Sequence, residues 1–335
     1  MGLGDYLARR LILLVFVLIG TSLLAFVLVR IAPADPVMML MPPQASMADI
    51  ERARERMGLN EPYHVQYFRY IRDLLRGDLG FSRHTGRTVL DEFRLRLPAT
   101  VELAVLSLGL ATVVGIGLGV VSALHKNRLT DHISRAISIV GIAAPAFWIG
   151  LIAIFVFYYL LGWAPPPLGR LTGSVPASIT GLLLVDAVIL RDWSLFADAL
   201  SHLVLPVTVL AFSFLAMICR LTRGGMLEVL QQDYIKFAHS CGVRRSRVIW
   251  LYALRNAVRP VMTMLGLFLA QLMGGVVFIE TVFAWPGLGR YAVQSLNVME
   301  YAPIQGFIIF MGVVYVLANL AVDLLYAVLD PRVQY

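Results

Sequence analysis

The sequence predicts an all-α, polytopic membrane protein: six transmembrane helices, a cytoplasmic loop of two helices, and a small helical segment outside the membrane between the first two spans. Three observations carry this. Of the 335 residues, 59% are hydrophobic and only 15% charged, far more apolar side chain than a soluble core of this size needs. The apolar residues gather in runs long enough to cross a hydrocarbon core of about 30 Å. The basic residues, which give a formal net charge of +7, sit in short loops beside those runs, where they fix orientation against the cytoplasm. No basic face interleaved with aromatics accompanies them, so nucleic-acid binding is excluded as the meaning of the charge. Cys219 and Cys241 both fall on the side assigned to the cytoplasm, and no disulfide framework is expected there.

The first apolar run is Leu11–Val29, preceded by Arg9 and Arg10, which place the N-terminus inside. A cleaved signal peptide is the rival reading, because Ala32-Pro33-Ala34 resembles a cleavage site. The run exceeds the usual ~7–15-residue apolar region of such peptides, and Arg30 separates it from the site. Residues 1–30 are therefore read as an uncleaved N-terminal transmembrane helix. Residues 31–97 form an extracytoplasmic helical segment: Ser46 is placed to cap a helix ending at Gly58, and after Pro62 the residues Val65, Phe68, Ile71, Leu74 and Leu75 recur at helical spacing.

Residues 98–330 are read as a core of five membrane-spanning helices. Pro98 opens the second span, which runs to Leu124; Gly115 and Gly119 form a GxxxG pair that lets another helix approach closely. Glu102, one turn in, either reaches the interface or marks a pathway, and both readings stay open. After the basic loop His125–Arg135 a third span runs to Leu161, with Pro145 near its middle predicting a kink. Gly162–Ser201 lies outside, and its apolar patch Gly181–Leu190 is too short to cross and contains Asp186, so it is read as a helix on the outer surface. The fourth span is read over His202–Met217, short and containing Pro206. Val261–Phe283 and Pro303–Leu329 are the fifth and sixth, leaving a cytoplasmic tail, 331–335. Six spans put both termini inside.

The polar stretch Met226–Pro260, within a loop spanning 224–260, is the chain's distinctive insertion. Leu227, Leu230, Tyr234, Phe237, Ala238 and Cys241 recur at three- and four-residue steps, predicting one helix over Met226–Cys241 with a single apolar stripe. Gly242 is suited to the left-handed position that ends a helix. A second helix is expected from Ser246, with Val248, Leu251 and Tyr252 on one side, ending where Pro260 opens the fifth span. Pattern alone leaves two readings open: a docking element for a soluble partner, or an interfacial helix pair lying on lipid headgroups.

The run Asp233-Tyr234-Ile235, then Ala238, Gly242, Arg255-Asn256-Ala257 and Pro260, resembles the cytoplasmic EAA loop of the permease subunits of bacterial ABC importers. In particular the chain is similar to the B-type subunit of the dipeptide/oligopeptide/nickel group. Pro33-Ala34-Asp35-Pro36, Gly77-Asp78-Leu79-Gly80, the run Glu280-Thr281-Val282-Phe283-Ala284-Trp285-Pro286-Gly287-Leu288-Gly289-Arg290, and Asp330-Pro331-Arg332 extend the resemblance in order along nearly the whole chain.

The resemblance implies a bacterial inner-membrane subunit forming half of a translocation pathway for peptides. Its implied partners are a second homologous permease chain, two cytoplasmic ATPase subunits that use ATP and Mg, an extracytoplasmic solute-binding protein, and the lipid bilayer. Asp233, Tyr234, Ala238, Gly242, Arg255, Asn256 and Pro260 would make up the ATPase-coupling loop. Phe237, His239 and Cys241 depart from the small or basic residues usual there.

No G-x-x-x-x-G-K-[ST] phosphate loop is present, and the only lysines, Lys126 and Lys236, follow no glycine-rich turn. The chain is thus expected to bind no cofactor, to hold no metal or catalytic residues, and not to be an enzyme by itself. A stand-alone secondary transporter, an intramembrane enzyme, and an importer of nickel chelate or another small solute are the alternatives. Gln271, Gln305 and Asn319 offer neutral hydrogen bonds to a peptide, or else helix contacts. Glu280 and the turn Trp285-Pro286-Gly287 are read as pathway or outer-gate residues.

Overall fold

The computed structural model describes residues 3–31, 46–56, 58–173 and 179–329. Pro33-Ala34-Asp35-Pro36, Asp330-Pro331-Arg332 and the tail 331–335 lie outside them. The chain is helical with one short hairpin: α1 Leu3–Ile31, α2 Met47–Arg56, α3 Tyr63–Leu75, β1 Phe81–Ser82, β2 Arg87–Thr88 and α4 Val89–Leu124. Then come α5 Leu129–Ala143, α6 Ala146–Leu160 and α7 Leu183–Leu190, followed by α8 Trp193–Val229 and α9 Asp233–Ser240. Residues 245–257 form α10, built from Arg245–Arg247, Val248–Ala253 and Leu254–Ala257. The last three helices are α11 Arg259–Val282, α12 Leu288–Asn297 and α13 Tyr301–Leu329.

Among the described residues, three helices are long and apolar enough to cross a membrane: Val89–Leu124, Trp193–Val229 and Tyr301–Leu320. Two bent pairs qualify when each is taken together, Leu129–Ala143 with Ala146–Leu160 and Arg259–Met273 with Val276–Val282. The apolar part of α1, Ile12–Leu28, is shorter. Large apolar side chains such as Phe16 and Val113 lie exposed on these helices, as surfaces meant for lipid do.

Two prolines behave differently from expectation, and the helix around a third is longer than expected. Pro98 does not open a helix; it sits inside α4, which begins at Val89 because Thr88 and Asp91 cap each other (Oγ1 to Oδ2 2.6 Å, Asp91 N to Thr88 Oγ1 3.2 Å). Pro206 lies inside its helix as expected, but α8 starts well before His202 because the Asp192 carboxylate accepts from the Ser194 and Leu195 amides. The fourth span is therefore long. Pro145 does more than kink: Ala144 and Pro145 are both extended, α5 and α6 meet at 108°, and α6 starts afresh at Ala146. The clash of a proline ring with the residue before it drives Ala144 out of the helical region.

The described residues fall into two compact units, those of Met1–Leu97 and Gly287–Leu317, and those of Pro98–Pro286 and Ala318–Val333. In the first, Ser46 and Asp49 cap α2 and Gly58 ends its segment at φ +65°. The apolar stripe of α3 is split: Ile71 and Leu74 are half-buried, while Val65, Phe68 and Leu75 are exposed. The inward side uses Gln66, bonded to the Leu59 and Glu61 carbonyls, with Tyr67 and Tyr70 against Phe26 of α1. The Glu300 carboxylate holds the hairpin loop, accepting from Ser82 Oγ and the Arg83 and His84 amides at 2.6–2.7 Å.

In the second unit α8 is the central post. A Cβ on Gly115 or Gly119 of α4 would stand 2.9 Å from Ile218 or 2.6 Å from Thr222, and one on Gly141 of α5 would stand 2.8 Å from Ala216. Small residues thus let backbones close up where no water drives packing. At the α4–α5 end these helices share one buried carboxylate. Asp131 accepts from Arg223 Nε (2.7 Å) and Nη2 (2.9 Å), Ser122 Oγ (2.6 Å) and Asn127 N (3.0 Å).

Replacing Arg223 by Gln leaves this carboxylate buried without its cation, a loss on the order of 3 kcal/mol. The variant should melt well below the unaltered chain in detergent, and Asp131→Asn added to it should recover part of the loss. Equal melting of all three would show the pair to be dispensable.

Candidate functional site

The insert does not fold as the single helix expected over Met226–Cys241. Its first residues finish α8, the chain turns at Leu230–Gln232, and Asp233 opens α9. The apolar stripe divides accordingly: Leu227, Leu230 and Ala238 are half-buried, whereas Tyr234, Phe237 and Cys241 are exposed, and the fully buried residues are Met226 and Ile235, which lie off it. Gly242 ends α9 at φ +74°, with Val243 N bonded to Ala238 O (3.1 Å) and Gly242 N to His239 O (3.0 Å). This is the paired capping arrangement that a left-handed residue permits.

Val248–Ala253 winds in wide i→i+5 turns, which re-phases the buried face of α10. Val248, Ile249, Ala253 and Ala257 are buried, while Leu251 and Tyr252, expected on one side with Val248, are exposed. The buried set packs with Val120 and Ala123 of α4, Met226 of α8 and Ile235 of α9. Gly225 makes the closest approach: a Cβ there would stand 2.7 Å from Ala257 O. Sequence reading passed over that glycine, although the adjacent pair Gly224-Gly225 in a helical run was its signal.

The loop residues named from the sequence meet in part. Asn256 Nδ2 donates to Tyr234 Oη at 2.9 Å, tying α10 to α9 across 22 residues. Asp233 is exposed, and the Lys236 ammonium 2.8 Å away holds its carboxyl below the usual range. Arg255 is exposed, and Pro260 stands in the first turn of α11. With exposed Tyr234 and Phe237, α9 presents an apolar ridge on a firmly seated base.

Far from this loop in sequence, the same unit holds a second polar cluster. Glu102, only 6% exposed, pairs with Arg170 and accepts the Leu184 amide at 2.9 Å. Arg170 also donates to Gly181 O (3.0 Å) and lies over the Trp285 ring, 5.7 Å from its centroid. Glu280 accepts from Thr100 Oγ1 at 2.6 Å, and Trp285 Nε1 donates to Ala99 O at 3.0 Å. Glu102 thus anchors the loop between α6 and α7 rather than reaching an interface. Burial pushes the Asp186 carboxyl up, but hydrogen bonds from Thr180, Gly181 and Ile179 outweigh it and hold it below the usual range. Asp186 is buried and shapes the start of α7, which the sequence reading left on the surface.

Among the outer-gate residues, Trp285 is buried and Pro286 half-buried in the second unit, and Gly287 is buried in the first. Gln271 is exposed on α11; Gln305 and Asn319 are half-buried on α13. A cavity of about 600 Å³ opens between α6 and α8, lined by Phe157, Trp163, Val204 and Phe212 among others; none of those three polar residues lines it.

The sequence matches the family profile of the binding-protein-dependent transport system inner membrane component over residues 115–335. The N-terminal profile of binding-protein-dependent transport system membrane components matches residues 3–104. The chain is 44% identical to the probable D,D-dipeptide transport system permease protein DdpB of Escherichia coli (strain K12), over 96% of this chain and 94% of that one. It is 40% identical to the dipeptide transport system permease protein DppB of Alkalihalophilus pseudofirmus, over 98% and 99%. It is 38% identical to the oligopeptide transport system permease protein AppB of Bacillus subtilis (strain 168), over 99% and 100%.

A Gly225→Val substitution drives a branched side chain against the Ala257 carbonyl and should lift α10 from its seat. Trypsin cleavage at Arg244, Arg245 and Arg247 in detergent is expected to speed several-fold. Unchanged cleavage would mean that the close approach does not hold the segment.

Proposed function

The chain belongs to the family of binding-protein-dependent transport system inner membrane components, and from that premise we propose that it is a permease subunit of an ATP-driven importer of dipeptides or oligopeptides. The observation that carries the reading is similarity along the whole length to permease proteins of peptide transport systems. That length includes the insert, and a stand-alone secondary transporter has no use for such a docking loop.

The finer organisation is part of the proposal. Six spans follow when α1 is added to the three long helices and the two bent pairs, and both termini then lie in the cytoplasm. A second homologous permease chain supplies the other half of the pathway, two ATPase subunits bind ATP and Mg, and an extracytoplasmic binding protein delivers the peptide. This chain contributes no catalytic group.

Coupling follows from the seat of the insert. The ridge of Tyr234 and Phe237 on α9 enters a groove on an ATPase subunit. The buried face shared by α9 and α10 rests on the ends of α4 and α8, so closure of the ATPases displaces those helices as a body. ATP and peptide delivery then bias the same inward/outward equilibrium.

A Gly242→Val substitution puts a β-branched residue into the left-handed region at a cost of about 1–2 kcal/mol and unseats the cap of α9. The expected result in proteoliposomes of the whole complex is continued ATP hydrolysis with peptide uptake reduced at least tenfold. Normal coupled uptake would refute the assignment. In the chain expressed without partners, an impermeant maleimide should label exposed Cys241 from the cytoplasmic face and spare buried Cys219; labelling of Cys241 from the outside would reverse the topology.

A further inference from the structure

The insert carries two exposed surfaces of different chemistry, and the coupling role uses only one. On α9 the exposed Tyr234 and Phe237 stand beside Asp233 and Lys236, a mixed surface. Residues 244–259 hold five arginines, Arg244, Arg245, Arg247, Arg255 and Arg259, and no acidic residue. Arg244, Arg245, Arg247 and Arg255 are exposed, and among the described residues none of the four has a carboxylate within ion-pair distance.

Between them Trp250, Leu251 and Tyr252 are 57%, 52% and 38% exposed. The wide turns put them there, because they bury Val248, Ile249 and Ala253 and leave the three side chains between Ile249 and Ala253 facing out. Exposed positions continue past the turn at Val258 into α11 at Arg259, Pro260 and Met262, so this surface leads to the start of an apolar span. Tryptophan and tyrosine with arginine at a span end are the residues of the headgroup layer, where the ring is half-apolar and the guanidinium meets phosphate.

We infer that the exposed face of α10, Arg244 to Arg255, seats on the inner leaflet and binds the headgroups of anionic phospholipids. The charge is complementary to an anionic leaflet, whose attraction for basic residues adds with each one. The face thereby holds α10 at a fixed depth while α9 is left to the ATPase. This inference rests on the cytoplasmic placement of the insert proposed above.

The test is emission from Trp250, taken as the difference between the full chain and its Trp250→Phe variant, in nanodiscs containing brominated phosphatidylglycerol or brominated phosphatidylcholine. The expected result is quenching by both, stronger with the anionic lipid at equal mole fraction. Replacing Arg244, Arg245 and Arg247 together by Gln should weaken the anionic preference at least about tenfold, while the Lys triple variant retains it. Emission indifferent to brominated lipid, equal quenching by the two lipids, or quenching abolished when the ATPase subunits are bound would overturn the inference, the last by assigning the face to the ATPase. The phosphatidylglycerol comparison needs only the Trp250→Phe variant to fold, and neither arginine variant. Cys241 labelling distinguishes the failures: cytoplasmic labelling without quenching sinks only the lipid seat, whereas outer labelling sinks the topology beneath it.

Discussion

The second unit depends on the carboxylate of Asp131. It is buried, and four donors from two helices and a turn converge on it: Ser122 of α4, the Asn127 amide, and both arms of Arg223 on α8. Such a charge is tolerated in a protein interior only with its cation and hydrogen bonds in place, so the alternative to this geometry is expensive. The insert rests beside it, since its core touches Val120 and Ala123 on either side of Ser122, and Met226 one turn beyond Arg223. Whatever moves α9 and α10 acts on the helix ends that Asp131 binds together.

The other end of α4 within that unit is also fixed by polar contacts. Ala99 O accepts from Trp285, Thr100 donates to Glu280, and Glu102 holds Arg170 and the Leu184 amide. At a rise of 1.5 Å per residue, the helix between Ala99 and Leu124 is a rod of about 38 Å. Polar anchors at its ends and glycines at 115 and 119 along its flank fix α4 against α8 without interrupting either helix. A load applied at one end therefore reaches the loops tied to Glu102 and Thr100 at the other, since a packed interior shifts between discrete arrangements rather than deforming gradually.

Features governed by local chemistry were legible in the sequence. Apolar runs marked the spans, Ser46 marked a helix start, Gly58 and Gly242 marked left-handed ends, and the GxxxG pair marked a close helix approach. Thr88-x-x-Asp91 and Asp192-x-Ser194 were equally local signals, and starting the second span at Pro98 and the fourth at His202 put two helix starts too late. What was not legible depends on partners remote in sequence. Nothing near Glu102 announces Arg170, nor anything near Asp131 Arg223, because ion pairs separated by 68 and 92 residues are fixed by packing and not by spacing. The exposed Leu251 and Tyr252 failed for a third reason: helical periodicity assumes 3.6 residues per turn, and Val248–Ala253 does not keep it.

Gly242 looks in the sequence like a hinge between two helices. The contacts around it describe a corner instead. Its amide and that of Val243 are bound back to α9, Tyr234 and Asn256 bridge the two helices away from the turn, and Ile235 shares a core with Val248 and Ile249. A free hinge would absorb a push on α9 as rotation about the glycine, and nothing would reach α4 or α8. A glycine needed for its left-handed φ and then clamped on both sides passes that push on. In the coupling role proposed above, the insert transmits displacement because the glycine at its corner is spent on making the turn.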